Sequence, residues 1–198
     1  MKKHFKQKTY IAVFVLVSAL SACVQDKKDS TNRPQGSISV KTEHSPQTFV
    51  SQPQPKGLLN DFAKILDEDK SQEIESVLRQ LQSKAEIDYR IAIVDSTDET
   101  SIFDYSLSLA REWNIGSKNG GVLVVVAVKD KKWHIQIDKR LEQDLSNEEV
   151  KQIGETMVED FKQKNYAEGL KKCIEKMISV LAKKQNFEPI KFDSQKLE

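Results

Sequence analysis

The chain has 198 residues, with 31 Lys and Arg against 30 Asp and Glu, two Cys, five Pro and 38% hydrophobic residues. That length suits one domain with an extension, and the balanced charge excludes a domain-wide basic footprint for nucleic acid. Aromatic residues make up only 7%, which argues against a stacking platform for bases or sugars.

Lys2, Lys3, Lys6 and Lys8 form a positive start, followed by an apolar run from Ile11 to Leu20. Roughly ten apolar residues are too few to cross about 30 Å of hydrocarbon, so residues 1–22 read as a signal peptide. The run ends in Leu20-Ser21-Ala22-Cys23, which resembles a bacterial lipobox. Small residues there admit a peptidase, and the thiol is alkylated, so Cys23 is expected as the acylated first residue of the mature chain. Cleavage leaves 27 basic against 30 acidic residues, a net charge of −3. Lipidation of Cys23 leaves Cys173 as a single thiol, with no intramolecular disulfide available. Val24, not Asp, follows Cys23, a pattern that resembles lipoproteins sorted to the periplasmic face of an outer membrane.

Residues 23–55 read as a linker, rich in Ser, Thr, Gln and Asp and holding Pro34, Pro46, Pro53 and Pro55. Too few apolar residues are present to offset the cost of ordering it, and a flexible chain of this length reaches roughly 30 Å.

From residue 56 to 184 helix and strand patterns alternate. Leu59 lies in a segment, Gly57 to Phe62, with room for a short edge strand. Asp67 or Asp69 caps a first helix with Ile74, Val77, Leu78 and Leu81 on one face. Tyr89 to Val94 is a short β-branched strand closed by Asp95-Ser96-Thr97-Asp98. Ser101 caps a second helix carrying Ile102, Tyr105, Leu109 and Trp113 inward. Val122 to Val128 is almost continuously apolar, as in a strand buried on both faces. Lys129-Asp130-Lys131 then turns the chain into a returning strand that alternates Trp133, Ile135 and Ile137 with His134 and Gln136. Ser146-Asn147-Glu148-Glu149 is a capping box opening a helix with Val150, Ile153, Met157 and Phe161 inward. A last helix runs from about Asn165 to Lys184, and residues 185–198 read as a polar tail. A strand–helix–strand crossover followed by a hairpin makes a small mixed sheet with helices on both faces.

Nucleotide, metalloprotease and nucleophile-elbow motifs are all missing. His4, His44 and His134 fall in the signal, the linker and a strand, so a His-based triad or metal site is not expected. Cys173 sits among Leu170, Ile174, Met177, Ile178 and Leu181 at helical spacing, which marks it as a buried core thiol rather than a nucleophile.

Four stretches carry a resemblance to the TPM domain family, found in plant thylakoids and bacterial envelopes. They are Leu59-Asn60-Asp61-Phe62-Ala63-Lys64-Ile65-Leu66, then Tyr105 to Gly116 with Leu109, Trp113 and Ile115-Gly116. The third is Asn119-Gly120-Gly121 with the strand to Ala127. The fourth is Trp133 to Leu145 with Leu141-Glu142, followed by Tyr166-Ala167-Glu168-Gly169-Leu170. The resemblance implies a three-layer α/β/α sandwich, with acid phosphatase activity and calcium binding in some members and membrane-protein maintenance in others. Carried over residue by residue, it points to Asp61, Asn119 and Glu142 as metal ligands. Asn119 stands where the family has an acid, which removes one negative charge from such a site. Asp138, Arg140 and Gln143 replace three family glycines around Leu141-Glu142, and Lys139 and Arg140 become candidates for holding an anion.

Each of these has a structural alternative. Asp61 can turn the chain before the first helix, and Asn119-Gly120-Gly121 can supply the backbone freedom needed ahead of the buried strand. Two functions follow. One is a lipid-anchored envelope domain that binds a membrane or periplasmic protein. The other is a calcium-dependent phosphomonoesterase built on Asp61, Asn119 and Glu142.

Overall fold

A computed structural model describes residues 52–192, all within one compact unit, Thr48–Glu198. The expected signal peptide, Cys23, the linker up to residue 51 and residues 193–198 lie outside the described residues. The elements in chain order are β1 Leu59–Asp61, α1 Glu68–Ala85, β2 Asp88–Val94, α2 Ile102–Glu112, β3 Gly121–Ala127 and β4 Lys132–Ile137. Helices α3 Asn147–Glu155, α4 Val158–Lys162 and α5 Tyr166–Gln185 follow.

Local chemistry sets the helix starts. The Asp67 carboxylate accepts from Lys70 N at 2.9 Å and begins α1, with Glu68 and Asp69 in the first turn where the helix dipole favours them. Ser101 does the same for α2 through Asp104 N. At α3, Ser146 accepts from Glu149 N while the Glu149 carboxylate accepts from Ser146 N, a complete capping box.

The sheet runs β1-β2-β3-β4, with β1–β2 and β2–β3 parallel and β3–β4 antiparallel. The alternation of strand side chains divides the interior into two cores. Tyr89, Ile91, Ile93, Val122, Val124, Val126 and Ile135 face one side, where they meet Ile74, Leu78 and Leu81 of α1 and Ile174, Met177 and Leu181 of α5. Ala92, Val94, Leu123, Val125 and Ala127 face the other, against Tyr105, Leu109 and Trp113 at the end of α2. The result is a three-layer α/β/α sandwich in which, among the described residues, one face carries several helices and the other carries α2. Each fully buried aliphatic side chain in these cores contributes about 1.5–3 kcal/mol.

Two segments differ from expectation. The helix expected to continue through Phe161 is broken at Thr156 and Met157, whose N–H groups bond Ile153 O and Gly154 O, three residues back. The Thr156 hydroxyl also donates to Ile153 O at 2.6 Å, which competes with the regular ladder there. The segment read as a polar tail instead lays Ile190 and Phe192 onto the core, both 7% exposed. Two apolar residues separated by one polar position give too short a pattern to register as packing.

Candidate functional site

The two ends of the sheet hold different parts of the expected site. Asp61 closes β1 and pairs in register with Ile93, which in turn pairs with Val126. Asn119 precedes β3 by two residues, and Glu142 follows β4, which places both at the opposite end of the sheet. Val126 lies five residues beyond Gly121, where β3 starts, so at strand rise about 17 Å separates the level of Asp61 from that end of the sheet, and Asn119 sits in the turn before it. The three residues expected to share one cation do not converge.

Two of the three side chains have other partners. Asp61 Oδ2 accepts from Ile65 N and Leu66 N, both at 2.8 Å, and so folds the segment between β1 and α1 back on itself. Its Oδ1 is buried with no hydrogen-bond partner. The Asn119 amide donates to Ala85 O at 2.9 Å, satisfying a carbonyl at the C-terminus of α1. Glu142 is exposed beside fully buried Leu141. Among the described residues no group of three His, Cys, Asp or Glu side chains is placed to hold a metal ion. The residues present therefore do not fit calcium in the expected arrangement.

The expected anion pair also resolves differently. Arg140 Nη1 meets Asp138 Oδ2 at 2.7 Å and donates to Ser117 O at 2.8 Å, so its charge is already countered. Lys139 is exposed. The glycine-rich stretch is structural: Gly120 has φ +116, and a Cβ there would run into Leu141. A Cβ on Gly121 would strike the backbone of Gly116, so two of the quoted motifs touch through their glycines.

Several anchoring residues escaped the sequence reading. Asn60, 3% exposed, accepts from Lys56 N and Gly57 N and donates to Gly57 O and Ile91 O. Asp88, 2% exposed, pairs with Arg90 at 2.9 Å and accepts from Gly116 N at 3.1 Å. Asp130 accepts from Ser96 Oγ, Thr97 N and Thr97 Oγ1, stitching the β2–α2 loop to the β3–β4 turn. The backbone bond from Thr97 leads in holding the Asp130 carboxyl below its ordinary range. Polar residues embedded in apolar strands or turns are the available signal for such anchors.

A surface groove of about 360 Å³ runs between α2 and β4, lined by Leu107, Ala110, Arg111, Asn114, Gln136 and Ile137 among others. Farther along the same helix, Phe103 is 52% exposed and meets the His134 ring edge-on at 5.3 Å. Burial holds His134 below the ordinary histidine pKa. On the opposite face, the Cys173 thiol is fully buried with Tyr89 Oη 3.9 Å away, and burial pushes its pKa up to about 12.

A mixed four-stranded sheet with β1, β2 and β3 parallel, β4 returning antiparallel, and helices on both faces defines an α/β/α domain with glycine-built loops at one end. Residues 59–180 match the TPM domain, and the chain belongs to that family. It is similar in structure to the N-terminal domain of a protein from P. gingivalis, with a TM-score of 0.61 and 25% identity over 66% of this chain and 85% of that one. The BA42 protein from the psychrophilic bacterium Bizionia argentinensis is also similar, with a TM-score of 0.55 and 24% identity over 70% and 92% of the two chains. The N-terminal domain of a Corynebacterium glutamicum protein shares the fold at a TM-score of 0.52 and 10% identity, over 75% and 91%. No curated protein matches the chain.

Proposed function

We propose that this TPM domain is a lipid-anchored binding domain of the cell envelope, held to the membrane through acylated Cys23 and engaging a periplasmic or membrane protein. The observation that carries the reading is the engagement of Asn119 with Ala85 O, at the far end of the sheet from Asp61. A phosphoryl-transfer centre needs its ligands within one coordination sphere, and these side chains act instead as backbone anchors.

The test has two parts. Mature protein should carry a lipid mass shift and fractionate with membranes, and Cys23→Ser should abolish both; wild-type protein wholly in the soluble fraction would sink the anchor. Hydrolysis of a chromogenic phosphate ester should be undetectable, whereas activity abolished by a chelator and by Asp61→Ala would establish the enzyme instead. That second reading, a calcium-dependent phosphomonoesterase, keeps one supporting observation: the buried, unpartnered Asp61 Oδ1 is a carboxylate oxygen that a cation would satisfy.

A further inference from the structure

Among the described residues the sheet ends at β4, and no strand pairs with its outer edge. Asp138 N donates to Gly121 O at 2.9 Å, which makes that pair a hydrogen-bonded one in the antiparallel ladder. By the alternation of such ladders, Trp133, Ile135 and Ile137 turn their backbone groups outward. The Gln136 Nε2 donates to Ile137 O at 3.1 Å, so a docking strand would displace that amide at this end. Outside the sheet, no other backbone group among the described residues bonds Trp133, Ile135 or Ile137.

The flank of α2 runs beside this free edge. Phe103, Leu107, Arg111 and Asn114 recur at three- and four-residue spacing, so they form one stripe. Eleven residues of helix cover about 17 Å, and the six residues of β4 cover about 20 Å. The groove thus offers a strand edge as floor and a helix flank as wall, over a length suited to five or six extended residues. That is the arrangement in which a peptide adds to a sheet edge by main-chain bonds and is selected by its side chains.

Charge chooses among peptides. Arg111 lines the groove and makes no ion pair among the described residues, and neither do Lys132 and Lys139 at the two ends of β4. The acid in the lining, Asp138, is paired with Arg140, whereas Glu112, outside the lining, meets the neutral Gln54 amide and keeps its charge. Among the lining residues the uncompensated charge is therefore that of Arg111, with Leu107 apolar beside it and Phe103 exposed farther along α2.

We infer that β4 and α2 form a docking groove for an extended segment of a partner polypeptide, one with β-branched residues and an acidic side chain that meets Arg111. The inference rests on the binding-domain reading and gives it a surface. The probe is the hexapeptide acetyl-Thr-Val-Glu-Val-Thr-Val-amide, titrated into ¹⁵N-labelled mature chain carrying Cys23→Ser. The amide signals of Trp133, Ile135 and Ile137 should shift saturably, and added salt should weaken the binding. Replacing Glu by Lys in the probe should weaken it at least tenfold, and Arg111→Glu should reverse that preference while the spectrum keeps its folded dispersion. Arg111→Ala, which adds no charge, should lose the preference without inverting it.

Equal responses to both peptides, or none at millimolar concentration, would overturn the inference. So would edge amides already protected in the free chain and released by deletion of residues 24–51, because the groove would then serve the chain's own linker. Phosphatase activity would remove the binding-domain reading without silencing the titration. A silent titration in an inactive protein would remove the groove and leave that reading to another surface.

Discussion

His134 shows how a single side chain on a half-buried strand makes stability depend on pH. Burial lowers its pKa in the folded state, with a smaller opposing effect from Gln136. Above the ordinary value of about 6.5 both folded and unfolded chains hold it neutral. As pH falls below that value the unfolded chain takes up the proton first, so stability decreases until the lower folded pKa is reached and then levels. Thermal melts between pH 7.5 and 5 should show this decline, and His134→Gln should flatten it; an unchanged slope in the variant would assign the decline elsewhere. Cys173 behaves in the opposite sense. With its pKa pushed up to about 12 and no exposure, it carries almost no thiolate at neutral pH. Iodoacetamide should leave it unmodified in the folded protein and label it once denaturant is added, as mass spectrometry would read.

Helix α3 is positioned by a residue that has no side chain. Gly154 lies against the Trp133 ring, and a Cβ there would overlap it. Gly154→Ala would gain up to about 1 kcal/mol of helix propensity but force a close-packed contact apart at about 1–3 kcal/mol. The expected outcome is a net loss of stability, seen as a lower denaturation midpoint with the slope of the transition unchanged.

Element-level features of this kind divide sharply in how well the sequence announces them. The caps of α1, α2 and α3 and the strand alternation of β4 were legible because they depend on neighbours in the chain. The edge strand β1 falls within the segment Gly57 to Phe62 that had room for one, although its one buried residue is the polar Asn60. The break between α3 and α4 was not, because a threonine bonding one turn back leaves the helical apolar spacing intact. The docking of Ile190 and Phe192 depends on surface offered by distant elements, which no local pattern reports. For the site, the motif residues were legible as residues but not as neighbours. Asp61, Asn119 and Glu142 each fall on a family motif, yet only strand register shows that the sheet separates Asp61 from the other two.

At the scale of the whole molecule, calcium is the discriminating ligand. A cation that binds only the folded state adds RT ln(1 + [L]/Kd), about 2.7 kcal/mol at a hundredfold excess. For a domain of this size that amounts to a shift of several degrees. Because the ligand set is divided between the two ends of the sheet, millimolar calcium should leave the melting temperature of the mature Cys23→Ser chain nearly unchanged. A shift of several degrees that Asp61→Ala removes would restore the calcium-dependent reading.

The clasp at the start of the domain has a mechanical consequence. Trp113 Nε1 donates to Pro53 O at 2.9 Å, and Gln54 donates to Glu112 at 2.6 Å, before the chain reaches the three residues of β1. Any pull arriving through the preceding chain therefore loads the end of α2 first, through a buried indole, and β1 only afterwards. A three-residue strand pulled directly would detach one rung at a time. With the clasp closed, the same force must first draw Trp113 away from the core that Leu109 and Phe62 share with it. Under a pull on the preceding chain, the thinnest strand thus stays out of the line of tension until the clasp opens.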